Sequence, residues 1–375
     1  MWHKGVGAAV VLLLLARAGG GQTPTPVVDP GRDKAEQIIA AYNRILKQDP
    51  ADVEAYNRRG VAYTNLGKYE QAVADFSMAI ELNPGDDKAY NNRGFAFAAW
   101  GRPGRAVVDY TRYLDQNPKD AAAWYNLATA RAALGDDAQA WEDFNRVIAL
   151  QPKNPKAYFN RGVAAAALNR LDDAIRDFTR ALQLNPQDTH ALNNRGLAFG
   201  AQGKYDQAIA DFTRALEIDP GDTGAYLNRG TTYSRKRAPA AALADFNAIL
   251  TREPRNAYAL LSRGIIFSEQ GDSDLALADF NQAIRFAPHL ASAYYNRGLD
   301  FKGRHAIPEA VRDLKKAIDL DPKFAEAYFN LALIYEEEGR RSDAREKYRQ
   351  YLENAPAQQA PSIRKAQEKI RELEK

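Results

Sequence analysis

No cysteine occurs in the 375 residues, which excludes disulfides, thiolate metal sites and thiol nucleophiles. An excess of one charge is missing as well. The 51 basic and 48 acidic residues nearly cancel, and removing residues 1–18 takes away Lys4 and Arg17 to leave +1. That balance gives no electrostatic reason for nucleic acid or an anionic membrane as the main partner. Histidine is down to four residues, His3, His190, His289 and His305. No Walker loop, HExxH, GxSxG or EF-hand pattern is found, so neither a cofactor, a metal nor a catalytic residue is expected. Long apolar runs are absent too, with one short exception at the start.

The exception is Val6–Ala16, which follows the basic Met1-Trp2-His3-Lys4. It is short for a bilayer-spanning helix, which needs about 20 apolar residues. Ala16-Arg17-Ala18 supplies a small-x-small cleavage pattern, so residues 1–18 are expected to be a signal peptide cut near Ala18. The alternative is an uncleaved anchor. A cleaved signal implies a periplasmic or secreted protein with no stable membrane insertion. Residues 19–31, with Thr23-Pro24-Thr25-Pro26, read as a flexible leader.

What fills the rest is a period of 34. Prolines stand at Pro50, Pro84, Pro118, Pro152, Pro186, Pro220, Pro254, Pro288, Pro322 and Pro356 without a slip. Small residues keep the same step at Gly60, Gly94, Ala128, Gly162, Gly196, Gly230, Gly264, Gly298 and Ala332. An alanine column runs unbroken from Ala72 through Ala106 and Ala140 to Ala344, with a bulky column, Phe76 to Tyr348, four residues behind it. Within one unit Tyr90, Gly94 and Phe97 share a helical face, and Ala106, Tyr110 and Leu114 mark a second helix. A small residue at the crossing lets two backbones approach, and an aromatic fills the remaining space. Each hairpin leaves an apolar face that only the next can cover.

These columns resemble the tetratricopeptide repeat family. The resemblance implies an all-α, right-handed superhelical solenoid of helical hairpins. It would comprise an incomplete repeat at 32–52, nine repeats at 53–358 and a capping helix at 359–375. It also implies a non-catalytic scaffold that binds another protein or peptide. The three histidines beyond the leader occupy different columns and should not converge, and repeats that touch only their neighbours leave little room for a catalytic constellation.

Two columns could carry chemistry. Arginines at 59, 93, 161, 195, 229, 263 and 297 match aspartates at 75, 109, 143, 177, 211, 245, 279 and 313. A ladder for an anionic ligand is one reading. The favoured one is a structural Arg–Asp bridge in each hairpin, partly exposed and worth ~0–1 kcal/mol. The repeat at 121–154 has Leu127 yet keeps Asp143. The second column is Asn92, Asn126, Asn160, Asn194, Asn228, Asn296 and Asn330. In peptide-binding members of the family this position grips a ligand's backbone from the concave face, a task that suits an amide because it donates and accepts. The competing reading is that these amides bond adjacent helices and shape the superhelix.

Tyr125 and Phe159 share that face with small residues such as Ala98, Ala132 and Ala166, as a shallow groove for an extended peptide or helix would require. No lysine stands in the column of Asn57 and Asn91, where family members that capture chaperone C-termini carry one. Arg235-Lys236-Arg237 replaces a turn glycine, either as an acidic partner's docking patch or as a solvated turn.

Overall fold

The computed structural model describes residues 32–356 and 359–374, among which every regular element but a single helical turn is an α-helix and no strand occurs. The expected signal peptide and leader lie outside the described residues. The chain divides into two compact units meeting at residues 218 and 219.

In the N-terminal unit, α1 (Arg32–Gln48) precedes five hairpins. They are α2 (Val53–Asn65) with α3 (Tyr69–Leu82), α4 (Asp87–Ala99) with α5 (Pro103–Gln116), and α6 (Ala121–Leu134) with α7 (Asp137–Leu150). Then come α8 (Pro155–Ala167) with α9 (Leu171–Leu184), and α10 (Thr189–Ala201) with α11 (Tyr205–Ile218). The C-terminal unit holds α12 (Thr223–Arg235) with α13 (Pro239–Arg252), and α14 (Ala257–Gln270) with α15 (Ser273–Phe286). It continues with α16 (Ala291–Gly303) and α17 (Ile307–Leu320), α18 (Ala325–Glu337) and α19 (Arg341–Asn354), and ends on α20 (Ala360–Glu374).

The period sets both ends of each helix. A carboxylate or amide caps the first helices from Asp52, Asp86, Asp120, Asn154, Asp188, Asp222 and Asn256, each accepting the backbone N–H three residues on. The column ends at Leu290 and Phe324, and Phe324 is buried instead. Each hairpin turn needs one residue in the left-handed region. Six turns use glycine there, and the other three use Asn169, Arg237 and His305 at φ of 57°, 62° and 58°. Asparagine and histidine are among the residues that tolerate that region; arginine is strained in it.

Packing follows the small-and-large pairing. Every member of the alanine column from Ala72 to Ala344 has 0% exposure, and the bulky partners Phe76 to Tyr348 are at most 1% exposed. A Cβ on Gly196 would lie 2.7 Å from the Phe212 ring, so glycine is what allows that ring to approach its helix so closely. Burying each such side chain contributes roughly 2–3 kcal/mol.

First helices of successive hairpins also touch one another: α2 with α4, α4 with α6, α6 with α8 and α8 with α10, and separately α12 with α14 and α14 with α16. Successive second helices among the described residues make no comparable contact. Each unit therefore curves with its first helices on the inside.

Candidate functional site

The arginine column is wholly committed to structure. In seven hairpins the Nε and Nη2 atoms donate in parallel to both oxygens of the matching aspartate, as in Arg93 to Asp109 at 2.8 Å each and Arg195 to Asp211 at 2.8 and 2.7 Å. The remaining Nη1 reaches back one repeat. Arg59 donates to Asn43, Arg93 to Ser77, Arg161 to Asn145, Arg195 to Thr179, Arg263 to Asn247 and Arg297 to Asn281, at 2.6–3.1 Å. Each of these six guanidiniums thus ties its own hairpin together and clips it to the helix before. Bidentate geometry of this kind is what arginine provides and lysine cannot.

The expectation of weak, partly exposed pairs is corrected in one respect. The aspartates are buried, with Asp75, Asp109, Asp143, Asp177, Asp211, Asp245, Asp279 and Asp313 all at 6% exposure or less. The short polar residues 16 positions before each arginine form a further column at the same 34-residue step.

The 121–154 repeat solves the loss of its arginine differently. Arg131, one turn beyond Leu127 on α6, sends Nη1 alone to both Asp143 oxygens at 2.8 and 2.6 Å. No backward clip forms, and Thr111, which stands where such a clip would land, donates to its own helix at Val107. Burial outweighs this single-nitrogen pairing and pushes Asp143 up from 3.8 to about 6, with Asp136 and Glu142 adding to the rise.

The asparagine column lies on the inner first helices. In the N-terminal unit Asn92, Asn126 and Asn160 are half-buried, whereas Asn194 is buried at 8% and donates Nδ2 to the His190 carbonyl at 2.9 Å. Asn160 donates to the Tyr125 hydroxyl of the preceding repeat at 2.7 Å. In these contacts the amide nitrogen acts and the carbonyl oxygen takes no part. The Tyr125 ring meets Phe144 edge-on at 5.7 Å and the Phe159 ring lies 5.8 Å from Phe178, so each keeps one flank in the core and one toward the inner face. Burial raises the Tyr125 phenol above its ordinary value, opposed by the Asn160 bond. The structure brings Asn92, Asn126, Asn160, Tyr125 and Phe159 onto adjoining first helices of one unit. Beside them, Asn57 donates to the Asp86 carboxylate, and the Oδ1 atoms of Asn57 and Asn91 are buried without a donor among the described residues.

The C-terminal unit differs. Asn228 is half-buried, Asn296 is buried at 8% and donates to the Ser292 carbonyl, and Asn330 donates to the Tyr295 hydroxyl and the Glu326 carbonyl at 3.0 and 2.9 Å. Its last repeats carry ion pairs on the inner side, Lys302 with Glu337 at 3.0 Å and Lys369 of α20 with Glu336 at 2.8 Å. Tyr348 also donates to Glu336, and Lys365 of α20 lies over the Phe329 ring. Among the described residues no cluster of side chains could hold a metal ion, and no helix is long and apolar enough to cross a membrane.

Comparison with known proteins agrees with the repeat fold. Profiles described as "Tetratricopeptide repeat" match residues 53–86, then 93–155, 138–189, 159–223 and 227–291, then 326–357, and one described as "TPR repeat" matches 306–339. Among solved structures, the chain is similar to the APC/C hetero-tetramer Cut9-Hcn1 at 14% identity, covering 91% of this chain and 83% of that one with a TM-score of 0.55. It is also similar to a tetratricopeptide repeat protein from Parabacteroides merdae at 20% identity, covering 72% and 99% with a TM-score of 0.51. A crystal structure of MamA matches at 25% identity over 44% of this chain and 96% of its own, with a TM-score of 0.42. No curated protein sequence matches the chain.

Proposed function

The chain belongs to the tetratricopeptide-repeat family, whose members are generally protein-interaction scaffolds, and on that premise we propose a non-catalytic scaffold of the cell envelope. Its ligand is an extended peptide or a helix of a partner protein, held on the inner face of the N-terminal unit. The observation that carries this reading is the adjacency of Asn92, Asn126 and Asn160 with Tyr125 and Phe159 on helices that touch from repeat to repeat. Half-buried amides with their carbonyl oxygens uncommitted suit a peptide backbone, and rings with one free flank suit apolar side chains. The arginine ladder is no rival site, because its forks are filled by aspartate. Replacing Asn92, Asn126 and Asn160 together with alanine should cost partner capture at least about tenfold while leaving the circular dichroism unchanged. Undiminished capture by that variant refutes the reading.

Undiminished capture would favour a second reading, a regulatory or assembly subunit of an envelope enzyme, gripped through the outer face or the turn edges. Two observations support it: Arg237 held at positive φ in a cationic turn, and Val108 on α5 with 67% exposure. The envelope location rests on residues 1–18. Amino-terminal sequencing of the protein from cells should find a start near Gly19, and an intact Met1 would speak for an anchor.

A further inference from the structure

In repeat register the described chain opens on half a hairpin. α1 aligns with the second helices, and its Ile38, Tyr42 and Ile45 stand 34 residues before Ala72, Phe76 and Ala79. In the first complete hairpin those three positions are 0%, 1% and 0% exposed. In α1, Ile38 and Tyr42 are half-buried, Ala41 is exposed, and Ile45 is 38% exposed. Its other side is accounted for, since Ala35 and Leu46 are buried where α1 meets α2. Residues 19–31 stand at the register place of a first helix, and their Gly19-Gly20-Gly21, Pro24, Pro26 and Pro30 are poor helix formers. Isoleucine at 38, where every complete repeat carries alanine, would also hold an ordinary first helix off.

We propose that this face is covered by α1 of a second copy of the chain, packed antiparallel about a two-fold axis that passes between Ala41 and Tyr42. The face is complementary to itself in that register. Ile38 meets the partner's Ile45, Ala41 meets the partner's Tyr42, and the exposed Lys34 meets the partner's Asp49, an exposed carboxylate just past the end of α1. Ile38, Ala41, Tyr42 and Ile45 form an i, i+3, i+4, i+7 seam, and the ion pairs close both ends of it by symmetry. The seam between Ile38 and Ile45 is only about 10 Å long. The contact is therefore smaller than the roughly 1,200 Å² of a stable interface, and the dimer forms reversibly, in the micromolar range. A head-to-tail match with α20 is disfavoured, because that helix turns Ser362, Arg364, Gln367, Glu368 and Arg371 outward and would bury charge against isoleucine.

The absence of cysteine makes the test clean. With copper phenanthroline as oxidant, the full chain carrying Ala41→Cys should cross-link to a dimer, while Ala40→Cys, exposed on the far side of α1, should not. In sedimentation, Ile45→Lys should weaken association at least about 100-fold with an unchanged helical spectrum. Lys34→Glu should weaken it about tenfold, and Lys34→Glu with Asp49→Lys should restore it. A full chain that stays monomeric to about 100 μM, equal cross-linking at both positions, or failure of the double reversal overturns the proposal. Dimerisation that appears only after residues 1–31 are deleted would assign the face to the chain's own leader, and overturns it too.

Discussion

Replacing Arg131 with methionine should destabilise the N-terminal unit while leaving the apolar contacts of the core in place. Asp143 has 6% side-chain exposure and receives both of its hydrogen bonds from one nitrogen of Arg131, itself 19% exposed. Removing one partner of a buried pair leaves an uncompensated charge, at a cost of about 3–5 kcal/mol. The folded-state pKa of Asp143 already lies above the ordinary 3.8, at about 6.

The folded protein therefore holds a proton between those values that the unfolded chain has released. Stability contributed by this group falls as pH rises through that window, by roughly 3 kcal/mol, and is level above it. Without Arg131 the carboxyl stays protonated to higher pH, so the loss in Arg131→Met should be small near pH 5 and full near pH 8. Asp143→Asn should remove the pH dependence, and the double variant should recover most of the loss. Hydrogen exchange of α6 and α7 across pH, together with urea unfolding, reads each of these outcomes, and the local readout matters because repeat arrays need not unfold in one step. A loss under about 1 kcal/mol, or one that does not change with pH, would refute the reasoning.

Gly196→Val should destabilise by about 1–3 kcal/mol through collision with the Phe212 ring, and Phe212→Leu should relieve part of it, as the natural pairing of Gly298 with Leu314 suggests. Thermal unfolding of the three variants decides this. Arg237→Gly should stabilise by about 1 kcal/mol by releasing a left-handed arginine; a melting temperature that does not rise would show the turn is unstrained. Asp120 caps α6 at Ala122 and Ala123 and accepts the Tyr113 hydroxyl at 2.8 Å; burial first, and then this bond, push Tyr113 up to about 12. Asp120→Ala should cost about 1 kcal/mol and bring a tyrosine back toward its ordinary titration range in ultraviolet absorbance.

Most of the fold was legible because each column performs one mechanical task in every repeat. Gly60 and Phe76, Arg59 and Asp75, and Gly67 in its turn could be read from spacing alone. The departures were not. Arg131 serves Asp143 from one helical turn off the column, which only the path of α6 reveals. Arg237 takes a left-handed conformation that its side chain disfavours, because the turn of its hairpin needs one residue there. The candidate face was legible only as a column. That Asn194 and Asn296 are buried while Asn92, Asn126 and Asn160 are half-buried could not be read from a column in which all five residues are identical.

The central claim is that the inner first helices, and not the outer second helices, receive the partner. A photo-cross-linking residue placed in turn at Asn126, at Phe159 and at Val108, in the protein expressed in its own cells, tests this directly. Adducts with one protein at positions 126 and 159 but not at 108 are the predicted result. Adducts confined to position 108 would contradict the account.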